Sequence, residues 1–465
     1  MLPHRASRYM LALVLLATPV AARAQAFGLN EIGSCAIARG FAATAAPCDD
    51  ASSVYWNPGA LPRTRGFSIY GGATAIKIDG DFTRDTTGQQ WKGDVPTAVV
   101  PHVFVSWRGD GNLALGFGAY VPYGLTSQWG DDFPGRFAAK KASLRTIYFQ
   151  PNVSYQLTKD WSVGGGPIFG HSSVELVQGV DLSTLPTGAS ATAPTFGQLG
   201  IPKYTEFARA TLKGSSNALG FTLGVHGQLT PTWQMGARFL SQVSFNYDDA
   251  DATFEPRQTN LVAAANNPFG VPGGTPIDAV VAGSGIFNTV LTSQKVKTQI
   301  RHPAQVQVGF AYTGVERTTM SAEYSYVGWK SFNQLPVDFQ GPAPSKVLIE
   351  NYNNTSGIRV GVDHRLVSGP SLRAGFMATT AAAPDETVTP LLPEQDRELA
   401  MLGFGYPFAG RFAVDGSYAH VFTPGRRGRI DERTANMTTA QALALTSGAY
   451  TLNANIFSLS LKANF

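Results

Sequence analysis

The chain is poor in charge: Asp, Glu, Lys and Arg supply 15% of its 465 residues, with 36 basic against 32 acidic side chains. The formal net charge of +4 is spread without a dense basic block, so nucleic acid is not an expected partner. There is no later apolar run of about 18 residues that would cross a bilayer as a helix. Only two cysteines occur, Cys35 and Cys48, and without neighbouring histidines they do not make a zinc site; no metal is expected. His102, His171, His226, His302, His364 and His420 stand in no motif with Ser or Asp that pairs a nucleophile with a base. An enzyme is therefore not expected, and no cofactor is implied.

What the chain has is glycine, aromatics and alternation. It carries 50 Gly, 28 Phe and 16 Tyr, with a mean hydropathy near zero. Alternation hides membrane-facing surface from such an average. The last strand shows the pattern: Phe457, Leu459, Leu461, Ala463 and Phe465 share one face, and mostly polar residues share the other. An apolar face outward and a polar face inward is the unit of a bacterial outer-membrane barrel, and a terminal aromatic is typical of one.

The N-terminus gives the route to that membrane. Arg5 and Arg8 precede an apolar run from Met10 to Val20, followed by Ala22-Arg23-Ala24-Gln25-Ala26. This predicts a signal peptide over residues 1–24, with cleavage after Ala24 or Ala26. Once exported, Cys35 and Cys48 meet an oxidising compartment, where a disulfide closing so short a loop contributes on the order of 3 kcal/mol.

Period-2 alternation places fourteen strands between residues 66 and 465. Their connections alternate between short and long. Arg108-Gly109-Asp110-Gly111, Thr158-Lys159-Asp160 and Thr230-Pro231-Thr232 are tight turns, as are Gly314 to Arg317, Ser368-Gly369-Pro370 and Ala409-Gly410. The intervening segments near 79–98, 124–142, 174–208, 249–297, 331–350, 379–397 and 423–453 are long. Short periplasmic turns and long external loops characterise outer-membrane barrels, and Trp107, Trp161 and Trp233 beside the short turns suit a periplasmic aromatic girdle. In the third strand Leu113, Leu115, Phe117, Ala119, Val121 and Tyr123 face one way. Ala114, Gly116, Gly118, Tyr120 and Pro122 face the other, so small residues line the lumen. The fold class is all-β: a 14-stranded antiparallel transmembrane β-barrel.

Residues 25–65 show no sustained alternation, yet Phe27, Leu29, Ile32, Ile37, Phe41, Tyr55 and Trp56 are too apolar for a disordered tail. A lumen this wide is not filled by its own side chains, so this segment is expected to be the plug. Phe27-Gly28-Leu29-Asn30-Glu31, Asp49 to Val54, and Asn57-Pro58-Gly59 resemble the N-terminal hatch of the FadL family, outer-membrane transporters of long-chain fatty acids and aromatic hydrocarbons. Tyr123-Gly124-Leu125, Gly135-Arg136-Phe137, Ala322-Glu323-Tyr324 to Trp329, and Pro393-Glu394-Gln395-Asp396-Arg397 extend the resemblance over nearly the whole mature chain. The family usually has Ala where Gly59 stands.

The resemblance implies passive uptake of a hydrophobic ligand by a monomer seated in outer-membrane lipid and lipopolysaccharide. Capture occurs on external loops, the hatch rearranges, and exit is lateral through a gap at the third strand, beside the Asn-Pro motif. Substrate-binding and gating residues are then Phe27, Leu29, Asn57, Pro58, Gly59, Tyr120, Pro122 and Gly124. Proline removes one ladder donor and marks an edge or bulge, which makes Pro122 the expected break; a strand that simply ends there is the competing reading. The loop over 249–297, with Leu261, Phe269, Val271, Ile277, Val281 and Phe287, is more apolar than water alone requires, either as a landing groove or as a self-packed cap. For a fatty acid, Arg136 and Lys140, clustered with Lys141 and Arg145, are candidate carboxylate contacts, or else meet lipopolysaccharide phosphates. An uncharged aromatic needs no cation. The competing functions are a general porin, which predicts opposed charges in an unplugged lumen, and an adhesin or receptor using the long loops.

Overall fold

The structure, a computed structural model, describes residues 26–187 and 193–465; the expected signal peptide lies outside the described residues. Fourteen antiparallel strands close into a ring. They are β1 (Gly66–Arg84), β2 (Ala98–Arg108), β3 (Leu113–Gln128), β4 (Lys141–Gln156), β5 (Trp161–Asp181) and β6 (Glu206–Thr230). Next come β7, in two pieces (Trp233–Leu240 and Val243–Pro256), β8, likewise in two (Gln294–His302 and Gln305–Val315), and β9 (Thr318–Val327). The ring is completed by β10 (Thr355–Arg365), β11 (Ser371–Thr379), β12 (Arg397–Phe408), β13 (Phe412–Phe422) and β14 (Gly448–Asn464). β14 pairs with β1 from Ser68↔Asn464 to Arg84↔Gly448, so the sheet has no free edge there. No helix among the described residues is long and apolar enough to cross a membrane.

The pleat sets the two environments. Phe457, Leu459 and Leu461 are exposed while Ser458 and Ser460 between them are buried; likewise Leu113, Leu115 and Phe117 point out and Ala114 and Tyr120 point in. An apolar exterior is stable only against lipid. Trp107, Trp161 and Trp233 all sit half-exposed beside short turns, at the level of a girdle. The outer ends of the strands run further than alternation alone indicates: β5 continues to Asp181, and β6 begins at Glu206.

The residues before β1 are almost all buried. They form two short helices, Ser34–Ala38 and Ser53–Trp56, and a 3-10 turn, Pro58–Arg63, with Cys35 and Cys48 joined by a disulfide. This segment touches the inner wall on opposite sides. Ser34 Oγ lies 2.8 Å from Ser458 Oγ of β14, Arg39 Nη2 donates to Ser321 of β9 at 2.9 Å, and Asn57 Nδ2 donates to Val225 O of β6 at 2.9 Å. Its backbone comes so close to the wall that glycine is needed there. A Cβ on Gly361 of β10 or Gly375 of β11 would fall on the backbone of Arg39 or Gly40, one on Gly236 of β7 would fall on Thr44, and one on Gly224 of β6 would fall on Asn57.

Candidate functional site

The ladder between β2 and β3 is incomplete. Pairing runs from Arg108↔Ala114 to His102↔Tyr120 and stops, although β2 continues to Ala98 and β3 to Gln128. At that height β3 carries one extra residue: Tyr120 pairs with Tyr148 and Tyr123 with Thr146, so Val121 and Pro122 stand opposite Ile147 alone. This is a bulge, and Pro122 lies within it. The strand bends there and goes on for six residues, so Pro122 does not end it.

The backbone groups β2 leaves open are taken up by the N-terminal segment. Leu29 N donates to Pro122 O at 2.9 Å and Gly124 N donates to Phe27 O at 3.0 Å, with Gly28 bridged to Tyr123. Gly124 lets the two backbones come close: a Cβ there would meet the Leu29 side chain at 2.9 Å and push it aside. Further out, Asp94 N bonds Gln128 O at 2.9 Å and closes the top of the unpaired stretch.

Phe27 projects into an aromatic cage. Its ring centre is 4.6 Å from Trp329, 5.3 Å from Phe332, 5.9 Å from His302 and 6.1 Å from Tyr123. The cage is held by a second irregularity, the break of β8 at Pro303-Ala304. Tyr123 Oη donates to Pro303 O at 3.0 Å, and Gln305 Nε2 donates to Tyr123 Oη at 2.8 Å.

Beside the cage lies an apolar cavity, about 670 Å³ of empty space, part of it open to solvent. Leu125, Leu144, Leu176, Leu212 and Ile300 supply its barrel side. Loop residues Phe332, Leu335, Val337, Tyr352, Leu391 and Leu392 supply the rest, and Phe27 closes one end. Such a wall binds apolar matter, with few groups to fix a polar one. Among the described residues Glu175 is the one charged group in its lining, and it is bonded to Lys141 at 2.6 Å and Lys213 at 3.3 Å.

Thus Phe27, Leu29, Pro122 and Gly124 meet in one place. Tyr120 sits just below, its ring centre 4.8 Å from Tyr55 and its hydroxyl bonded to Gln150. Asn57, Pro58 and Gly59 do not join them, which corrects the expectation that they neighbour Pro122. Pro58 O accepts from Ser154 of β4, whereas the bulge faces Ile147, seven residues along the same strand and roughly 23 Å away. Asn57 instead knots the segment: its Nδ2 donates to Thr44 O and Val225 O, and its Oδ1 accepts from Gly59 N at 3.0 Å.

Arg136 and Lys140 do not line the cavity and are already engaged. Arg136 is 2.7 Å from Glu206 and lies over the Phe137 ring, and Lys140 is 2.6 Å from Asp131. Trp329, Phe332, Tyr352, Leu391 and Leu392 escape sequence reasoning because they sit on irregular loops. The one available signal was the run ending at Trp329, which extends the β9 alternation into a turn. In the outer loops, Leu182, Phe196, Phe207, Ile277 and Val281 form a separate apolar cluster. Leu261, Phe269, Ile286 and Phe287 are only partly buried against it.

A closed ring of fourteen strands, apolar outside and occupied inside by its own N-terminal segment, is an outer-membrane barrel. A family model described as "Outer membrane protein transport protein (OMPP1/FadL/TodX)" matches residues 14–465, and the chain belongs to that family. It is similar to the 47 kDa outer membrane protein of Pasteurella multocida, 25% identical over 459 residues covering 98% of both chains. It is also similar to the long-chain fatty acid transport protein of Escherichia coli strain CFT073, 24% identical over 409 residues covering 85% of this chain and 86% of the other. Among solved structures, a Pseudomonas aeruginosa FadL homologue matches with a TM-score of 0.77 at 20% identity, covering 95% of this chain and all of that one. The Pseudomonas putida toluene transporter TodX matches with a TM-score of 0.67 at 15% identity, covering 95% and 99%. The protein is an outer-membrane transport protein of the FadL/TodX family.

Proposed function

We propose that the protein carries long-chain fatty acids or related hydrocarbons passively across the outer membrane, acting as a monomer and catalysing no reaction. The observation that carries this reading is the apolar cavity whose end wall, Phe27, belongs to the same segment that fills the unpaired stretch of β3. A ligand that displaces Phe27 gains a path from the cavity to the bilayer between β2 and β3. Residues 25–65 serve as the hatch, with the first few residues as its moving part. The partly buried apolar residues of the outer loops, Leu261, Phe269 and Phe287 among them, serve as the landing surface, and outer cations face lipopolysaccharide.

Relatives named for fatty acids and for toluene leave two ligand classes, which separate uptake of each tells apart. A general porin is disfavoured because its lumen would be open to water, whereas here Trp56, Phe41 and Tyr55 are buried within the ring.

The test is uptake of labelled oleate and, separately, toluene by cells whose only protein of this family is this one or its Leu144→Trp variant, at equal surface levels. Loss of uptake when the cavity is filled supports the reading and names the ligand class. Uptake of neither ligand by the unaltered chain overturns it.

A further inference from the structure

The wall has a second open stretch, on the far side of the cavity from β3. β8 pairs with β9 from Val315↔Thr318 to Gln305↔Val327, and Gly328 N bonds Ala304 O at 2.9 Å. Pairing resumes only at Lys297↔Asp338 and Val296↔Phe339, with Gln340 N bonding Lys295 O at 2.9 Å. Over residues 298–303, roughly 20 Å of strand, no backbone bond joins β8 to that side among the described residues. The facing segment is committed elsewhere: Gln334–Phe339 pairs along its other edge with Lys346–Ile349, and Asn333 O accepts from Glu350 N and Asn351 N. Each rim carries a proline, Pro303 and Pro336, which has no N–H to give and belongs at an edge. Rims short of donors favour a slit over a ladder.

The slit joins the cavity to the outer interface of the membrane. Continuing the register from Lys297↔Asp338 sets Ile300 against Leu335, and both line the cavity, as do Thr298, Phe332 and Val337. The Thr298 hydroxyl is buried there without a hydrogen-bond partner. On the outer face stands Arg301, opposite Ser244 of β7, its guanidinium without a partner among the described residues. Below it that face is apolar, with Val306 and Phe310 exposed, and beside it Gln299 Nε2 donates to Asn246 at 2.5 Å. The change from apolar to polar marks the height where acyl chains give way to headgroups.

We propose that this slit is an entry port from the outer leaflet for a single-chain carboxylate amphiphile: the acyl chain passes between Ile300 and Leu335 into the cavity while Arg301 holds the carboxylate at the rim. The port deepens the transport reading above and rests on it, adding a route for ligand already dissolved in the membrane to capture on the loops. Arg301 touches the ligand only during entry, so it sets the rate of filling and not the final occupancy.

The experiment uses the full chain in phosphatidylcholine vesicles, at alkaline pH so that the acid is ionised. A diazirine-bearing palmitate, or its uncharged methyl ester, is added and partitions into the lipid, and photolabelling of the cavity residues Leu144, Leu176 and Leu212 at successive times is read by mass spectrometry. Arg301→Glu should slow labelling by the acid about tenfold while leaving the ester and the final extent unchanged, and Arg301→Lys should restore the rate. Lys77→Glu, the same reversal at an exposed cation of β1 beside β2, should have no effect. An unchanged acid rate in Arg301→Glu, equal slowing of the ester, or equal slowing in Lys77→Glu overturns the port and leaves the cavity reading standing. Absence of cavity labelling in the unaltered chain removes the transport reading and the port together. If Arg301→Glu does not fold, Arg301→Gln, which removes the charge without reversing it, gives the same comparison.

Discussion

Glu350, two residues before the cavity-lining Tyr352, carries a pH signature. It is buried in the loop between β9 and β10, and burial, reinforced by the nearby Glu432 carboxylate, pushes its own carboxyl up from 4.5 to about 8. Between those values the folded chain keeps a proton that the unfolded chain has lost. The stability tied to this proton is fully present below about 4.5, declines as pH rises, and is lost above about 8. Amides of 333–352 should therefore lose protection between about pH 4.5 and pH 8 relative to Glu350→Gln, measured by hydrogen exchange at matched pH so that intrinsic rates cancel. Identical profiles in the two proteins would contradict this. No sequence pattern announces such a residue, because its environment is made by loops that meet only in the fold. The same holds for cations: Arg136 and Lys140 read as available in sequence, but their partners Glu206 and Asp131 appear only in three dimensions.

Strands were legible because lipid on one side and a lumen on the other enforce a period of two over the membrane-spanning part. Their outer ends were not, because beyond the bilayer no face needs to be apolar and β5 or β6 can continue as a polar ribbon. The bulge at Pro122 was half-legible, since proline marks a break but does not say whether the strand resumes. The hatch was visible as apolar composition and as short runs such as Asn57-Pro58-Gly59 that resemble the family's, but not as secondary structure; its helices, Ser34–Ala38 and Ser53–Trp56, are too short to show a 3.6-residue repeat. The wall glycines of β10 and β11 have a use only once the hatch is in place. Gly375→Ala puts a methyl group on the Gly40 backbone and should dislodge the hatch core, giving measurable ion conductance in planar bilayers. Gly71→Ala, where the added Cβ meets nothing closer than 3.6 Å, should stay silent. Equal conductance from both would remove the seating role.

At the scale of the whole molecule, three irregularities converge: a bulge in β3, a break in β8, and an N-terminal segment that pairs with a strand in place of its neighbour. A barrel needs none of them to be stable, and each withdraws backbone hydrogen bonds from a ring that otherwise satisfies them all. Their common product is a stretch of wall between β2 and β3 held shut by Phe27 to Leu29 rather than by the ladder. Lateral exit through that stretch is the central claim. Deleting Pro122 removes the extra residue, brings Val121 opposite Ile147, and lets β2 and β3 pair beyond Tyr120. The decisive measurement is the initial rate of uptake of the transported ligand by cells carrying the Pro122 deletion, with folding verified by mobility of the unheated protein on gels. At least a tenfold fall in rate, at unchanged ligand affinity of the purified protein, is the predicted result; a folded variant that transports at the original rate would contradict lateral exit.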